Sequence, residues 1–404
     1  MFEELFSKRA KTMKASEIRE LLKLVTNQDI ISFAGGLPNP ATFPTDELVD
    51  VCATVLREEG TVAVQYGTTE GVRKLREEIA SRMKRTIGLD LGAENILITS
   101  GSQQALDLLG KLFLDPGDTA VIAAPTYLGA VSAFKAYDPN FITVPLDENG
   151  LQVELLEEQL KDLAKRFMLP KFVYTVPTFQ NPAGVTMSEG RRDMLIDLSV
   201  EYDFIIIEDS PYEELRYAGD PIRPLVARAA ERVLNLGTFS KILAPGFRTA
   251  WVVGNEELIR KVVISKQAAD LCTNTFSQYV IAEYMSRGLL DPHIEEIRTL
   301  YSRKRNIMLK ALDEHMPEEI TWTRPDGGLF LWLTAPTYVD TKDMFPKAVK
   351  SKVAYVTGTA FYVDGRGLNE MRLNFSYTTD EDIERGIERL AGVLESEMRE
   401  LDQE

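Results

Sequence analysis

Lys241 stands where an apolar run gives way to polar chemistry, in Asn235-Leu-Gly-Thr-Phe-Ser-Lys241-Ile-Leu-Ala-Pro-Gly-Phe-Arg248. Arg232 to Leu236 reads as a buried strand that stops in hydroxyls, a lysine, Pro-Gly and an arginine. An ammonium beside an apolar strand end is costly to desolvate, so its pKa falls and the amine becomes nucleophilic. Thr238, Ser240 and Arg248 are groups that hold a phosphate monoester. An imine-forming amine beside a phosphate clamp describes a pyridoxal-phosphate site. A solvated surface turn accounts for the same residues, and this segment alone does not separate the two readings.

Other polar residues stand at the ends of other apolar runs. Asn95–Ser100 leads into Gly101-Ser-Gln-Gln104 and a helical pattern. There Gly101 permits a tight turn, Ser102 can cap the helix, and the free amides form an anion site; an ordinary cap without a ligand is the plainer reading. Tyr127, in Ala124-Pro-Thr-Tyr127, offers an aromatic face to a planar ring or to the core. Asn181, in an Asn-Pro-Ala-Gly turn, can bond a ligand oxygen or simply make the turn. Phe204-Ile-Ile-Ile-Glu-Asp209 ends in two acids, which are either solvated or paired with a cation such as a pyridinium nitrogen. Arg372 sits inside the strand-like Met371–Phe375, where its fork suits a carboxylate, from a ligand or from a structural ion pair. Arg19, in Ser-Glu-Ile-Arg-Glu, reads from spacing as a surface arginine on a helix.

Seven apolar runs must position these groups: Asn95–Ser100, Thr119–Pro125, Phe141–Leu146, Lys171–Pro177, Phe204–Asp209, Arg232–Phe239 and Thr249–Gly254. Most are nearly continuously apolar, as strands buried on both faces are. Helical periodicity fills gaps between them at Gln103–Phe113, Leu155–Ala164 and Gly190–Tyr202. The alternation predicts an α/β fold with a mainly parallel seven-stranded sheet, whose ligands lie beyond the carboxyl ends of its strands. Past residue 290, a long helix, short strands near Gly327–Leu333, Val353–Val356 and Met371–Phe375, and a closing helix predict a smaller α+β domain. The expected division is 1–45 as a segment joining the small domain and the site, 46–290 as the large domain, and 291–404 as the small one.

The 404-residue chain is 44% hydrophobic, enough for a large core and a second domain. Its 62 acidic residues against 46 basic ones leave a formal charge of -16, which argues against nucleic acid and anionic membrane surfaces as partners. No apolar run approaches the roughly 18 residues of a spanning helix. Met1 to Leu21 carries no signal-peptide pattern. Cys52 and Cys272 are the sole cysteines, which makes a disulfide framework or thiolate zinc site improbable, and a cytoplasmic enzyme is expected. His293 and His315 are the sole histidines, both in charged surroundings that predict surface positions. A histidine-based triad or metal centre therefore loses most of its ground, and no metal is expected.

The motifs and their order closely resemble fold-type-I pyridoxal-phosphate enzymes of the class I/II aminotransferase family, nearest its α-aminoadipate/kynurenine aminotransferase II branch. Ser32-Phe-Ala-Gly-Gly-Leu-Pro38, Gln65–Gly71, Thr99–Gln104, Pro125–Tyr127, Gln180–Gly184, Glu208–Tyr212, Gly237–Lys241 with Arg248, Gly327–Phe330 and Met371–Asn374 carry the resemblance across nearly the whole chain. It implies pyridoxal 5′-phosphate as cofactor, with Lys241 the imine-forming lysine and proton shuttle. Asp209 matches the partner of the ring nitrogen, Tyr212 and Asn181 the donors to the ring oxygen, and Tyr127 the stacking aromatic. Ser102, Gln103, Thr238, Ser240 and Arg248 match phosphate ligands. Tyr66 matches a tyrosine that reaches the phosphate from the neighbouring subunit, which implies a homodimer with shared active sites. Arg372 matches the α-carboxylate clamp, and Gly36 lies where backbone meets that carboxylate. Thr357 and Ser210 depart from common family residues at peripheral places.

The resemblance implies transfer of an L-amino acid's amine to 2-oxoglutarate by a ping-pong mechanism. In this branch an arginine on a mobile N-terminal helix meets a distal carboxylate and swings away for apolar side chains, and Arg19 matches its position. Donors expected on that basis are 2-aminoadipate, glutamate, aromatic amino acids, kynurenine and leucine. A different pyridoxal-phosphate reaction, such as elimination or decarboxylation, and a non-catalytic sensor module are the alternatives.

Overall fold

The computed structural model describes residues 2–12 and 29–401. A short strand β1 (Ile31–Ser32) precedes the main sheet. That sheet is built from β2 (Ile96–Thr99), β3 (Thr119–Ala124), β4 (Asn140–Asp147), β5 (Gly150–Leu151), β6 (Pro170–Thr175), β7 (Ile205–Asp209), β8 (Val233–Thr238) and β9 (Ala250–Val253). Their spatial order is β2-β9-β8-β7-β6-β3-β4-β5. All seven expected strands are present, and the sheet has eight: β5, two residues long, pairs antiparallel with the end of β4. Too short to show a hydrophobic period, β5 is set by the turn at Glu148–Asn149.

Strands β3, β4, β6, β7 and β8 run parallel, while β9 is antiparallel to both β8 and β2. The segments after β2, β3, β6, β7 and β8 therefore emerge at one edge, and the residues just before β9 return to it. β3 and β8 are wholly buried, as their largely apolar runs require, and the one polar residue inside β8, Asn235, bonds Glu208 and Ser210. Sequence period then decides what each face carries. Asp209 pairs with Leu236, and Glu208 with Asn235. The two adjacent acids therefore point to opposite faces of the sheet.

A second sheet has the order β10 (Thr321–Trp322), β11 (Phe330–Thr334), β14 (Glu370–Asn374), β13 (Val356–Thr357). All its pairings are antiparallel, with Arg372 opposite Trp332 and Val356. The parallel pairing of β1 with β12 (Val353–Ala354) ties the segment before Gly35 to this part of the molecule. Helix Leu290–His315 packs its Leu290, Ile294, Ile297 and Met308 inward. His293 lies on that same inward stripe and is 4% exposed, against the surface position its charged neighbours predict; His315 is exposed as expected. No described helix is long and apolar enough to cross a membrane.

Candidate active site

Lys241 follows β8 at the shared edge, its side chain half-buried. Its Nζ donates to the carbonyl of Gly36 at 2.9 Å. Burial, reinforced by the charges of Arg372 and Arg248, pulls the ammonium down to about 8. The amine is thus poised between acid and base near neutral pH. Thr238 and Ser240 flank it, their hydroxyls bonded at 3.0 Å, with the Ser240 amide donating to Thr238 Oγ1 at 3.1 Å.

Arg248 arrives from the other side of the same loop in a left-handed conformation (φ 50°). A Cβ on Gly101 would lie 2.3 Å from its Nη2, so the guanidinium rests directly over this glycine. Gly101, at φ +82°, is also the N-cap of helix Ser102–Phe113. Ser102 is therefore the first helical residue rather than the capping side chain that the sequence predicts, because only glycine fits the turn before it. Its Oγ is buried with no partner. Gln103 turns its side-chain amide to the Gly129 carbonyl at 2.7 Å, which leaves its first-turn backbone N–H as what it can offer an anion.

Asp209 ends β7, 3% exposed. Oδ2 accepts from the Tyr174 hydroxyl at 2.8 Å, while Oδ1 is buried without a partner. Burial raises this carboxyl to about 6, against the lowering effect of the Tyr174 bond. Glu208 on the opposite face is fully committed: its carboxylate accepts from the Leu225 and Val226 amides and from Asn235, with Arg192 at 3.9 Å. Strand parity thus singles out Asp209 from the two acids.

Arg372 is 4% exposed and, among the described residues, pairs with no carboxylate. Nη1 donates to Asn181 Oδ1 at 3.0 Å and Nη2 to the Ala34 carbonyl at 3.0 Å. The rings of Phe330 and Phe361 lie 4.2 and 5.0 Å from its guanidinium carbon. Burial pulls it down to about 10, so it stays cationic at neutral pH, and its Nε has no partner. A Cβ on Gly36 would meet Phe330 at 3.4 Å and Arg372 Nη2 at 4.0 Å, which makes Gly36 the floor between Lys241 and Arg372. Asn181 Nδ2 reaches the Tyr212 hydroxyl at 3.4 Å. Burial raises that phenol, so it keeps its proton at neutral pH. Tyr127 caps helix Leu128–Lys135 with its ring folded over Gly129.

Eight buried side-chain atoms among the described residues lack a partner, and three of them are Ser102 Oγ, Asp209 Oδ1 and Arg372 Nε. Such atoms call for an explanation in a native fold. One stands at an anion-binding turn, one is a carboxylate oxygen at a strand end, and one belongs to a buried cation. A phosphorylated pyridine bearing an amino acid needs these three partners. The chemistry of the donor set fits pyridoxal 5′-phosphate.

The sequence model of the family "Aminotransferase class I and II" matches residues 39–390. The chain belongs to the class I and II aminotransferases. Similar to this aminotransferase is the aromatic-amino-acid aminotransferase 1 of Thermococcus litoralis, 52% identical over 98% of this chain and 96% of the other. Among solved structures, the Pyrococcus horikoshii kynurenine aminotransferase, in complex with PMP, superposes with a TM-score of 0.95 at 52% identity, covering 98% of each chain. The α-aminoadipate aminotransferase of Thermus thermophilus, complexed with a phosphopyridoxyl-leucine, superposes at 0.91 with 38% identity over 99% of each. This aminotransferase is accordingly a pyridoxal-5′-phosphate enzyme.

Two expected residues do not join the cluster. Tyr66 is 79% exposed, on the segment after helix Gly60–Ala63. Arg19 lies outside the described residues. Sequence reasoning missed Tyr174, whose only local signal is a tyrosine inside the buried strand-like run Phe172–Thr175, and the Phe330–Phe361 pair around Arg372.

Proposed function

We propose that this aminotransferase moves the amine of aromatic amino acids, kynurenine and 2-aminoadipate to 2-oxoglutarate, in two half-reactions at one site. The observation that carries the reading is Arg372. A buried guanidinium without a carboxylate, sharing the Ala34–Gly36 backbone with Lys241 Nζ, is a receptor for an α-carboxylate set beside a reactive amine. The donors named for the relatives above supply the substrate classes.

When bound, the cofactor supplies an electron-accepting ring that stabilises negative charge at the donor's Cα. The chain's own part is positioning and proton handling. Arg372 and the Gly36 backbone orient the donor's carboxylate. Thr238, Ser240, Arg248, Ser102 and the Gln103 amide would hold the phosphate. Asp209 Oδ1 would pair with the ring nitrogen, Tyr212 and Asn181 would donate to the ring oxygen, and Tyr127 would cover the ring face. Lys241 Nζ would take the proton from the donor's Cα as a base and deliver it as an acid to the carbon that carried the cofactor's aldehyde, a role that its lowered pKa suits. Tyr66 is assigned to the partner subunit's phosphate site, in a homodimer of cytoplasmic setting. The division into 1–45, 46–290 and 291–404 belongs to the same reading, and the β1–β12 pairing supports the first of these.

The test is spectroscopic. Purified enzyme mixed with an aromatic donor should lose its aldehyde-form absorbance, and 2-oxoglutarate should restore it. Release of ammonia and a keto product without the second half-reaction would instead mark a lyase. Arg19→Ala should cost acidic donors about tenfold or more in kcat/KM, in line with loss of one charge-assisted pair, while sparing aromatic donors. Equal losses for both classes would remove Arg19 from the reading.

A further inference from the structure

Tyr174 is not among the ligands assigned above, yet its hydroxyl is what holds the acid at the sheet edge. It sits in the middle of β6, and its register partner across the ladder is Ile207. Asp209, two residues on, therefore shares its face, within diagonal reach of a tyrosine. The ring is fully buried and packs edge-on against Phe134 at 5.6 Å, so the hydroxyl is fixed from behind. It donates to Oδ2 at 2.8 Å, leaving Oδ1 as the buried oxygen without a partner.

We propose that Tyr174 is a positioning residue that directs Oδ1 of Asp209 at the cofactor's ring nitrogen and keeps the shared proton on that nitrogen rather than on the carboxylate. The inference rests on the reading of Asp209 as the ring-nitrogen partner. Two arrangements of one proton compete at such a contact: a ring N–H donating to a carboxylate Oδ1, or a carboxylic O–H donating to a neutral nitrogen. Only the proton's position differs between them, so charge and atoms balance. A donor bond to Oδ2 stabilises the carboxylate and lowers its proton affinity, which favours the first arrangement. Burial acts in the opposite sense, because desolvation favours the neutral acid. The hydroxyl of Tyr174 opposes that desolvation, and among the described residues no other side chain donates to Asp209. A ring nitrogen that keeps its proton accepts electrons well, so the effect belongs to the chemical step rather than to donor binding.

The experiment uses the holoenzyme reconstituted with cofactor labelled with nitrogen-15 in the ring. Wild-type enzyme at neutral pH is expected to give a pyridinium-like shift. Tyr174→Phe, which keeps the ring and its packing, should move the signal toward unprotonated pyridine. It should also lower kcat by about ten- to hundredfold, the span of one hydrogen bond to a charged group, with little change in KM. Replacement of Tyr174 by a fluorinated tyrosine, a stronger donor, should hold the pyridinium signal. A wild-type signal in Tyr174→Phe, or an equal shift in both variants, overturns the role of the hydroxyl. Asp209→Ala separates the two layers: if it leaves the ring signal pyridinium-like, the underlying reading of Asp209 fails and this inference with it. If Asp209→Ala shifts the signal and Tyr174→Phe does not, only the inference on Tyr174 fails.

Discussion

At the scale of single residues, Lys241 and Asp209 are both shifted toward neutrality by burial, and each shift makes a separate prediction. Lys241→Ala should reduce turnover by about a thousandfold or more while the protein stays folded and still binds the cofactor non-covalently, since the phosphate ligands are untouched. Near-normal turnover would remove Lys241 from the chemistry. Asp209 makes its prediction in the cofactor-free protein. Its folded pKa of about 6 lies above the ordinary 3.8, so the native state holds a proton that the unfolded chain has released. Stability therefore falls as pH rises from about 4 to 6 and stays lowered above. Asp209→Asn removes the ionisation and still accepts from Tyr174. It should stabilise the cofactor-free protein at pH 7.5 by up to about 3 kcal/mol, at 1.36 kcal/mol per pKa unit, and leave stability unchanged at pH 4. Thermal melts at the two pH values check this, and an equal gain at both would contradict burial of the carboxylate as its cause.

Among the elements, the turn from β2 into helix Ser102–Phe113 is the most constrained part of the site. Gly101 adopts φ +82° and ψ 161°, a region that other residues occupy only at a cost of about 1–3 kcal/mol. Gly101→Ala adds that strain and drives a methyl into the Arg248 guanidinium. We expect the dissociation constant for cofactor to rise about tenfold or more, measured by titration of the cofactor-free protein; an unchanged constant would show that Arg248 is not needed where it stands. How well each element can be read from sequence follows from the range of its determinants. Most of the seven expected strands announce themselves because burial on both faces leaves a nearly continuous apolar run, although β4 is buried only at Val144, and their polar ends mark the edge where Lys241, Asp209, Asn181 and Ser102 gather. β5 leaves no such trace. His293 is hidden by Asp291, Glu295 and Glu296, which face outward on the same helix while the stripe beneath them is buried. The Tyr174–Asp209 bond depends on the register between β6 and β7, and the Phe330–Phe361 cradle on two distant segments meeting, and neither leaves a local signal. Arg372 is an intermediate case: its burial is legible in the strand pattern, whereas the absence of an acid partner is not.

For the whole molecule, the proposed homodimer is the level at which Tyr66 would acquire its proposed role. Val62, Val64 and Tyr66 form an apolar strip, 52%, 69% and 79% exposed, of the kind that association covers. The wild type should sediment at twice the 45.4 kDa chain mass. Val64→Asp should shift it toward the monomer and weaken cofactor retention in parallel. Dissociation without loss of cofactor would show that each site is complete within one chain. The opposite orientations of Glu208 and Asp209 bear on how such a chain can change over time. Which acid faces the proposed cofactor site is a matter of odd or even position along β7, so removing one residue from Ile205–Ile207 would present the neighbouring acid and turn Asp209 toward Arg192. Composition and fold class would hardly alter, yet the side chain proposed to meet the ring nitrogen would be a different one. An odd insertion or deletion in this strand exchanges the acid that faces the site, and a paired one moves Asp209 by about 6.6 Å along the strand, out of reach of Tyr174, so the strand's length is as tightly constrained as the identity of the acid at its end.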